Sequence, residues 1–226
     1  MQVHIRHNPS FAVARVLLAP TEPVHILSGA MMAHSPGMSI DARAEGGLLS
    51  GLSREIFAGA STFTTTMTAP PQGGWVDLTS VLPGDVLSLP ISPDRAFFLT
   101  RGAWLGNSHG VVTDTHWGGI ANLLGGEGGF GLRAWGQGEV LLSVYGALDV
   151  CDLAPGEQVV IDSGHVVAYD LGMRFQLRKA SASGLWNSLK SGEGYVFDFL
   201  GPGRVYLQSR NPAAFDAYVR EQVPSE

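Results

Sequence analysis

The sequence is poor in charge and has almost no cysteine. Only 15% of its 226 residues are Asp, Glu, Lys or Arg, against about 25% in an ordinary globular domain. Lys and Arg number 14 and Asp and Glu 20, for a net charge of -6. This balance disfavours a broad basic face for nucleic acid and leaves room only for a local patch. The single cysteine, Cys151, excludes an intrachain disulfide framework and a cysteine-based zinc cluster. It lies in Asp149-Val-Cys-Asp152 with no basic neighbour to stabilise a thiolate. It therefore reads as a small buried hydrophobe rather than a nucleophile. No secretory signal is visible, because Arg15 breaks the first apolar run from Phe11 to Ala19. No apolar stretch reaches the roughly 18 residues that span a bilayer. An integral membrane protein is not expected, peripheral contact stays open, and the expected compartment is the cytoplasm.

Glycine, proline and apolar residues make up most of the remainder. A turn signature occurs three times, as Leu18-Ala-Pro-Thr-Glu22, Val81-Leu-Pro-Gly-Asp85 and Leu153-Ala-Pro-Gly-Glu157. Its punctuating residues are Pro20 and Glu22, then Pro83, Gly84 and Asp85, then Pro155, Gly156 and Glu157. Proline presets the first central dihedral of such a turn, and glycine accepts positive φ at the second. A short apolar strand follows each signature. Ser28-Gly-Ala-Met-Met-Ala33 aligns with Ser163-Gly-His-Val-Val-Ala168 at the same offset as the flanking turns, and Ser92-Pro-Asp-Arg-Ala-Phe-Phe98 takes that place in the middle. A second signature, Gly136-Gln-Gly-Glu-Val-Leu-Leu142, returns as Gly201-Pro-Gly-Arg-Val-Tyr-Leu207, with Ser53-Arg-Glu-Ile-Phe57 as its faint counterpart in the first unit. The spacing predicts three repeats at approximately 1-70, 71-140 and 141-210. No flexible spacer separates them, so they are expected to pack as one β domain over 1-226.

The units read as strands. In Met173 to Arg178, and again in Tyr195 to Phe199, apolar and polar residues alternate with period two. Val140-Leu-Leu-Ser-Val-Tyr145 and Val166-Val-Ala-Tyr169 are apolar on both faces and need cover on both, from a second sheet or from another subunit. Helix signals are sparse. Asn211-Pro212 is a cap followed by proline at the first helical position, predicting a helix over 212-222 that Pro224 stops. Gly119 to Gly125 reads as a single helical turn. The fold class is all-β.

The order of motifs resembles the altered inheritance of mitochondria protein 24 family. The resembling pieces are Pro9-Ser-Phe-Ala-Val-Ala14, Leu27-Ser-Gly-Ala-Met-Met-Ala33, Gly125-Gly-Glu-Gly128, Leu153-Ala-Pro-Gly-Glu157, Asp162-Ser-Gly-His-Val-Val-Ala168, and Gly192-Glu-Gly194 with Gly201-Pro-Gly-Arg-Val-Tyr-Leu-Gln-Ser-Arg210. The resemblance implies β-sandwich repeats like the fold of the trp RNA-binding attenuation protein. It also implies ring-like homo-oligomers, trimers above all. It brings no catalytic residues. Thr21 departs from the family's turn, which has glycine at that place.

Candidate chemistry is thin. His109, Asp114 and His116 could together ligate a divalent metal. On one strand, however, His109 and His116 would point to opposite faces, which favours a polar loop or strand end over a metal site. His165 reads as a hydrogen-bonded histidine at a strand start. Gly125-Gly-Glu-Gly-Gly-Phe-Gly131 suggests a phosphate cradle, but a strand rather than a helix follows it, which favours a loop or hairpin. Arg174, Arg178, Lys179, Arg204 and Arg210 near aromatic residues could contact single-stranded RNA. The expected function is a non-enzymatic, ring-like homo-oligomeric scaffold or interaction module without a cofactor. A small-ligand or single-stranded RNA binding protein is the alternative. A cupin-like metal-dependent enzyme centred on His109, Asp114 and His116 is a weaker one.

Overall fold

The computed structural model describes residues 1-43, 64-100, 102-116, 131-180 and 194-222. The period-two segments form strands, and β1 (Gln2–Arg6) precedes three sets of six. The first set is β2 (Val13–Leu18), β3 (Pro23–Leu27), β4 (Met31–His34), β5 (Ser39–Arg43), β6 (Thr64–Thr68) and β7 (Gly74–Thr79). The second is β8 (Gly84–Ile91), β9 (Phe97–Leu99), β10 (Trp104–Ser108), β11 (Val111–His116), β12 (Gly131–Gly136) and β13 (Gly138–Tyr145). The third is β14 (Leu148–Leu153), β15 (Gln158–Asp162), β16 (Val166–Asp170), β17 (Arg174–Lys179), β18 (Tyr195–Leu200) and β19 (Gly203–Gln208). In every set the first and third strands flank the sixth, and the second and fourth flank the fifth, all antiparallel.

These pairings build four sheets, in the orders β1-β2-β7-β4, β5-β6-β3-β10-β13-β8, β11-β12-β9-β16-β19-β14 and β15-β18-β17. Each six-stranded sheet takes three strands from one set and three from the next. Three apolar cores lie between successive sheets. The first contains Val16, Leu78, Ile26 and Leu141, the second Phe97, Leu99, Leu142 and Val167, and the third Tyr169, Phe197, Phe199 and Val205. The third is rich in aromatic contacts, with Phe197 and Phe199 stacked at 5.2 Å and Tyr169 edge-on to Phe199 at 5.1 Å.

The two doubly apolar strands are covered within the chain. On β13, Leu141 faces the first core while Val140, Leu142 and Val144 face the second. On β16, Val167 and Ala168 enter the second core and Val166 and Tyr169 the third. Covering these strands therefore requires no second subunit.

Strand register corrects the sequence alignment of the middle unit. Leu18, Ile91 and Leu153 end the first strands, each opposite the glycine that opens a sixth strand, Gly74, Gly138 or Gly203. The turns that follow close alike. Glu22 N–H donates to the Ala19 carbonyl at 3.1 Å, Arg95 N–H to Ser92 at 2.9 Å and Glu157 N–H to Ala154 at 3.0 Å. The middle counterpart of Pro20 and Pro155 is thus Pro93. Pro83, Gly84 and Asp85 lie one strand earlier, at the entry to β8, where Asp85 N–H donates to the Gly146 carbonyl at 3.0 Å. A Pro-Gly pair marks a bend locally but does not say which strands the bend joins. Likewise the middle counterpart of Gly29-Ala30 is Gly102-Ala103 rather than Ser92 to Phe98. Both glycines have positive φ, 88° and 83°, and Ala30 and Ala103 each donate three residues back, to Leu27 at 3.0 Å and Thr100 at 3.1 Å. The first set enters its sixth strand at Gly73-Gly74. Ser53 to Phe57, Gly119 to Gly125 and all of the glycine-rich segment but Gly131 lie outside the described residues.

The helix α1 (Pro212–Gln222) starts under a side-chain cap. Asn211 Oδ1 accepts from the N–H groups of Ala213 at 2.9 Å and Ala214 at 3.4 Å. None of its residues is buried. Phe215 meets Tyr145 edge-on at 5.9 Å. Among the described residues no helix is long and apolar enough to cross a membrane.

Candidate functional site

Two members of the histidine–aspartate cluster suggested by the sequence, His109 and Asp114, turn to different partners. His109 follows β10 and meets His25 of β3, with Nδ1 of His109 and Nε2 of His25 3.3 Å apart. Asp114 on β11 instead accepts two bonds from Arg133, at 2.6 and 3.2 Å, and one from the Trp135 indole at 3.2 Å. The backbone of His116 pairs with Gly131 at the far end of the same strand. His25 was not singled out in the sequence, since only pairing across two sets brings it to His109. Burial and the neighbouring imidazole push its pKa down. His165 Nδ1–H donates to the Gln208 carbonyl, 2.7 Å away, as befits a histidine at a strand start. Cys151 is half-buried against the third core. Burial, with Glu157, Asp149 and Asp152 nearby, raises its thiol pKa, so thiolate chemistry is disfavoured.

Two of the five basic residues considered for RNA are held in ion pairs. Arg178 pairs with Asp198 at 2.7 Å, and Arg204 holds Asp152 through two bonds. A stronger ionic group, not marked by any motif, lies on the first outer sheet. Asp77 on β7 is buried and accepts two bonds from Arg15 at 2.9 and 2.8 Å and two from Arg6 at 3.1 and 2.8 Å. The Arg15 guanidinium also stacks on Trp75, 4.0 Å from the ring centre. The bonds from Arg15, then those from Arg6, hold the Asp77 carboxyl far below the usual carboxylate range, although burial opposes them.

The feature that links the three sets is the joint between one set and the next, made inside a shared sheet. Where one set meets the next, the second strand of the earlier set pairs with the third strand of the later one. At the first joint Ile26, His25 and Val24 face Gly106, Asn107 and Ser108. At the second, Leu99, Phe98 and Phe97 face Ala168, Tyr169 and Asp170. Every third strand carries an irregularity just before these residues, at Met31/Ala33, Trp104/Gly106 and Val166/Ala168. At or just after the end of every third strand a side chain secures the sixth. Ser35 Oγ accepts from Trp75 N–H at 3.0 Å, Ser108 Oγ from Glu139 N–H at 2.9 Å, and Asp170 Oδ2 from Arg204 N–H at 2.8 Å.

Near the turns that lead into the third strands lies a mostly apolar cleft of about 390 Å³. Ala30, Leu82, Ala103, Val144, Gln208 and Pro212 are among the residues that line it, so it reaches all three sets and the start of α1. Its size and lining suit a small apolar ligand.

A family model described as mitochondrial biogenesis AIM24 matches residues 3–210. An uncharacterized protein of Streptococcus pyogenes serotype M6 is 24% identical over 233 residues, covering 100% of this chain and 92% of its own length. The crystal structure of protein SPYM3_0169 from Streptococcus pyogenes is similar with a TM-score of 0.81 at 24% identity, over 98% of this chain and 99% of that one.

Proposed function

This chain belongs to the mitochondrial biogenesis AIM24 family, and on that premise we propose that it is a cytoplasmic, non-enzymatic, ring-like homo-oligomer that serves as a scaffold or interaction module. One observation carries the reading. Two of the four sheets are assembled half from one set and half from the next, so the architecture grows by sharing sheets. The reading treats the sets as repeats of one unit like the trp RNA-binding attenuation protein fold. It expects repeats of different copies to share sheets as the three within a chain do. A ring closes such a series without leaving exposed ends. Native mass spectrometry of untagged protein tests the proposal. The expected result is one dominant assembly at an integer multiple of the 23.9 kDa chain, three copies being the expected number. A chain that stays monomeric at micromolar concentration overturns it.

The apolar cleft beside Tyr145 and Pro212 supports a second reading, a binding protein for a small apolar ligand. Denaturing mass analysis of the freshly purified protein would then release a stoichiometric small molecule. Retention of random RNA on filters would instead favour single-stranded RNA as the bound species.

A further inference from the structure

We propose that copies of this chain join head to tail by pairing the free edge of β4 in one copy with the free edge of β15 in the next, in the register of the two internal joints. The proposal rests on the oligomeric reading above and names its interface. Strand β4 is a third strand, like β10 and β16, but among the described residues it pairs only with β7. Strand β15 is a second strand, like β3 and β9, but among the described residues it pairs only with β18. They are therefore the two halves of a joint that the chain makes twice internally and leaves open once at each end.

The internal joints dictate the register. The residues equivalent to Gly106, Asn107 and Ser108, and to Ala168, Tyr169 and Asp170, are Ala33, His34 and Ser35. The residues equivalent to Ile26, His25 and Val24, and to Leu99, Phe98 and Phe97, are Ile161, Val160 and Val159. Both joints thus give the same pairs: Ala33 with Ile161, His34 with Val160 and Ser35 with Val159. Pairing the outer sheets this way makes one seven-stranded sheet, β17-β18-β15-β4-β7-β2-β1.

Burial points to the same occupant. Met31 and Met32 are 39% and 51% exposed, whereas their counterparts Trp104 and Leu105, and Val166 and Val167, are buried. Val160 is 57% exposed where its counterparts Phe98 and His25 are buried and half-buried. These are large apolar side chains in positions that are less exposed wherever the joint is made. The two edges also lack the charges with which exposed strands discourage pairing. Met31 to His34 holds no acidic residue, lysine or arginine, and Gln158 to Asp162 has only its last residue, Asp162, whose carboxylate accepts from Gly164 N–H at 2.8 Å. By contrast, the outer edge strand β17 carries Arg174, Arg178 and Lys179.

The test uses the full chain with Cys151→Ser, into which His34→Cys and Val160→Cys are placed together, and a short bis-maleimide as cross-linker. A denaturing gel is expected to show covalent multimers for the pair and only single chains for either change alone. Val160→Lys, at a site exposed in the single chain, is expected to lower the native mass to one chain while the far-ultraviolet circular dichroism of the folded chain stays unchanged. An oligomeric native mass with no cross-linked multimers overturns the edge pairing and leaves the oligomer standing. A single cross-linked chain of unchanged length also overturns it, since the edges would then close within one molecule. A monomeric native mass of the unmodified protein overturns both this interface and the oligomeric reading.

Discussion

Asp77 is a carboxylate shut away from water and gripped by two guanidiniums. Its pKa is depressed in the folded protein, so its contribution is complete above the ordinary carboxylate value of about 4 and is lost as pH falls below it towards the folded value. Asp77→Asn should lower stability by about 2 kcal/mol at neutral pH, since Arg6 and Arg15 can still turn to solvent. It should also flatten the loss of stability below about pH 4. Urea unfolding at a series of pH values checks both. A variant that keeps the acid slope would place the titrating group elsewhere. None of this is legible in the sequence. Arg6 and Arg15 stand 71 and 62 positions from Asp77, and no local pattern links them. The same holds for His25 and His109, 84 positions apart.

At the scale of the element, the first-to-second-strand turns were legible where their chemistry is complete. Gly156 takes φ 85° at its turn, and Thr21 takes φ 60° at the equivalent one. A β-branched residue in that region is strained by about 1 kcal/mol. Thr21→Gly should therefore raise the thermal midpoint by a few degrees, or up to about 1 kcal/mol, after the entropy of a more flexible unfolded chain is deducted. Gly156→Thr should lower it by a similar amount through backbone strain alone, because a Cβ there meets nothing within 4 Å. Differential scanning calorimetry of the two variants decides the point, and equal midpoints would mean that Thr21 sits there without strain. The capped helix 212-222 was equally visible, because Asn211 and Pro212 act within one turn of each other. The middle turn misled because Pro83-Gly84 has the right chemistry in the wrong place, while Pro93-Asp94 sits where register requires the turn.

At the scale of the whole molecule, shared sheets couple the three cores. Leu141 and Leu142 are neighbours on β13, fully buried in different cores. Replacing either with alanine should cost about 3 kcal/mol. Both losses should fall in one transition, followed alike by far-ultraviolet circular dichroism and by tryptophan fluorescence, which includes buried Trp104 of the second core. Separate transitions for the two variants would mean that the sets unfold as independent bodies.

Period-two alternation, turn residues, the helix cap and the order of motifs are properties of short stretches of chain. They sufficed for an all-β molecule of this family with a C-terminal helix. Pairing partners are another matter, because register is chosen by burial across distant segments. Only the tertiary structure decided that the doubly apolar strands β13 and β16 are covered from within, that Pro93 rather than Pro83 makes the middle turn, and that β4 and β15, among the described residues, lack the joint partner that their counterparts have.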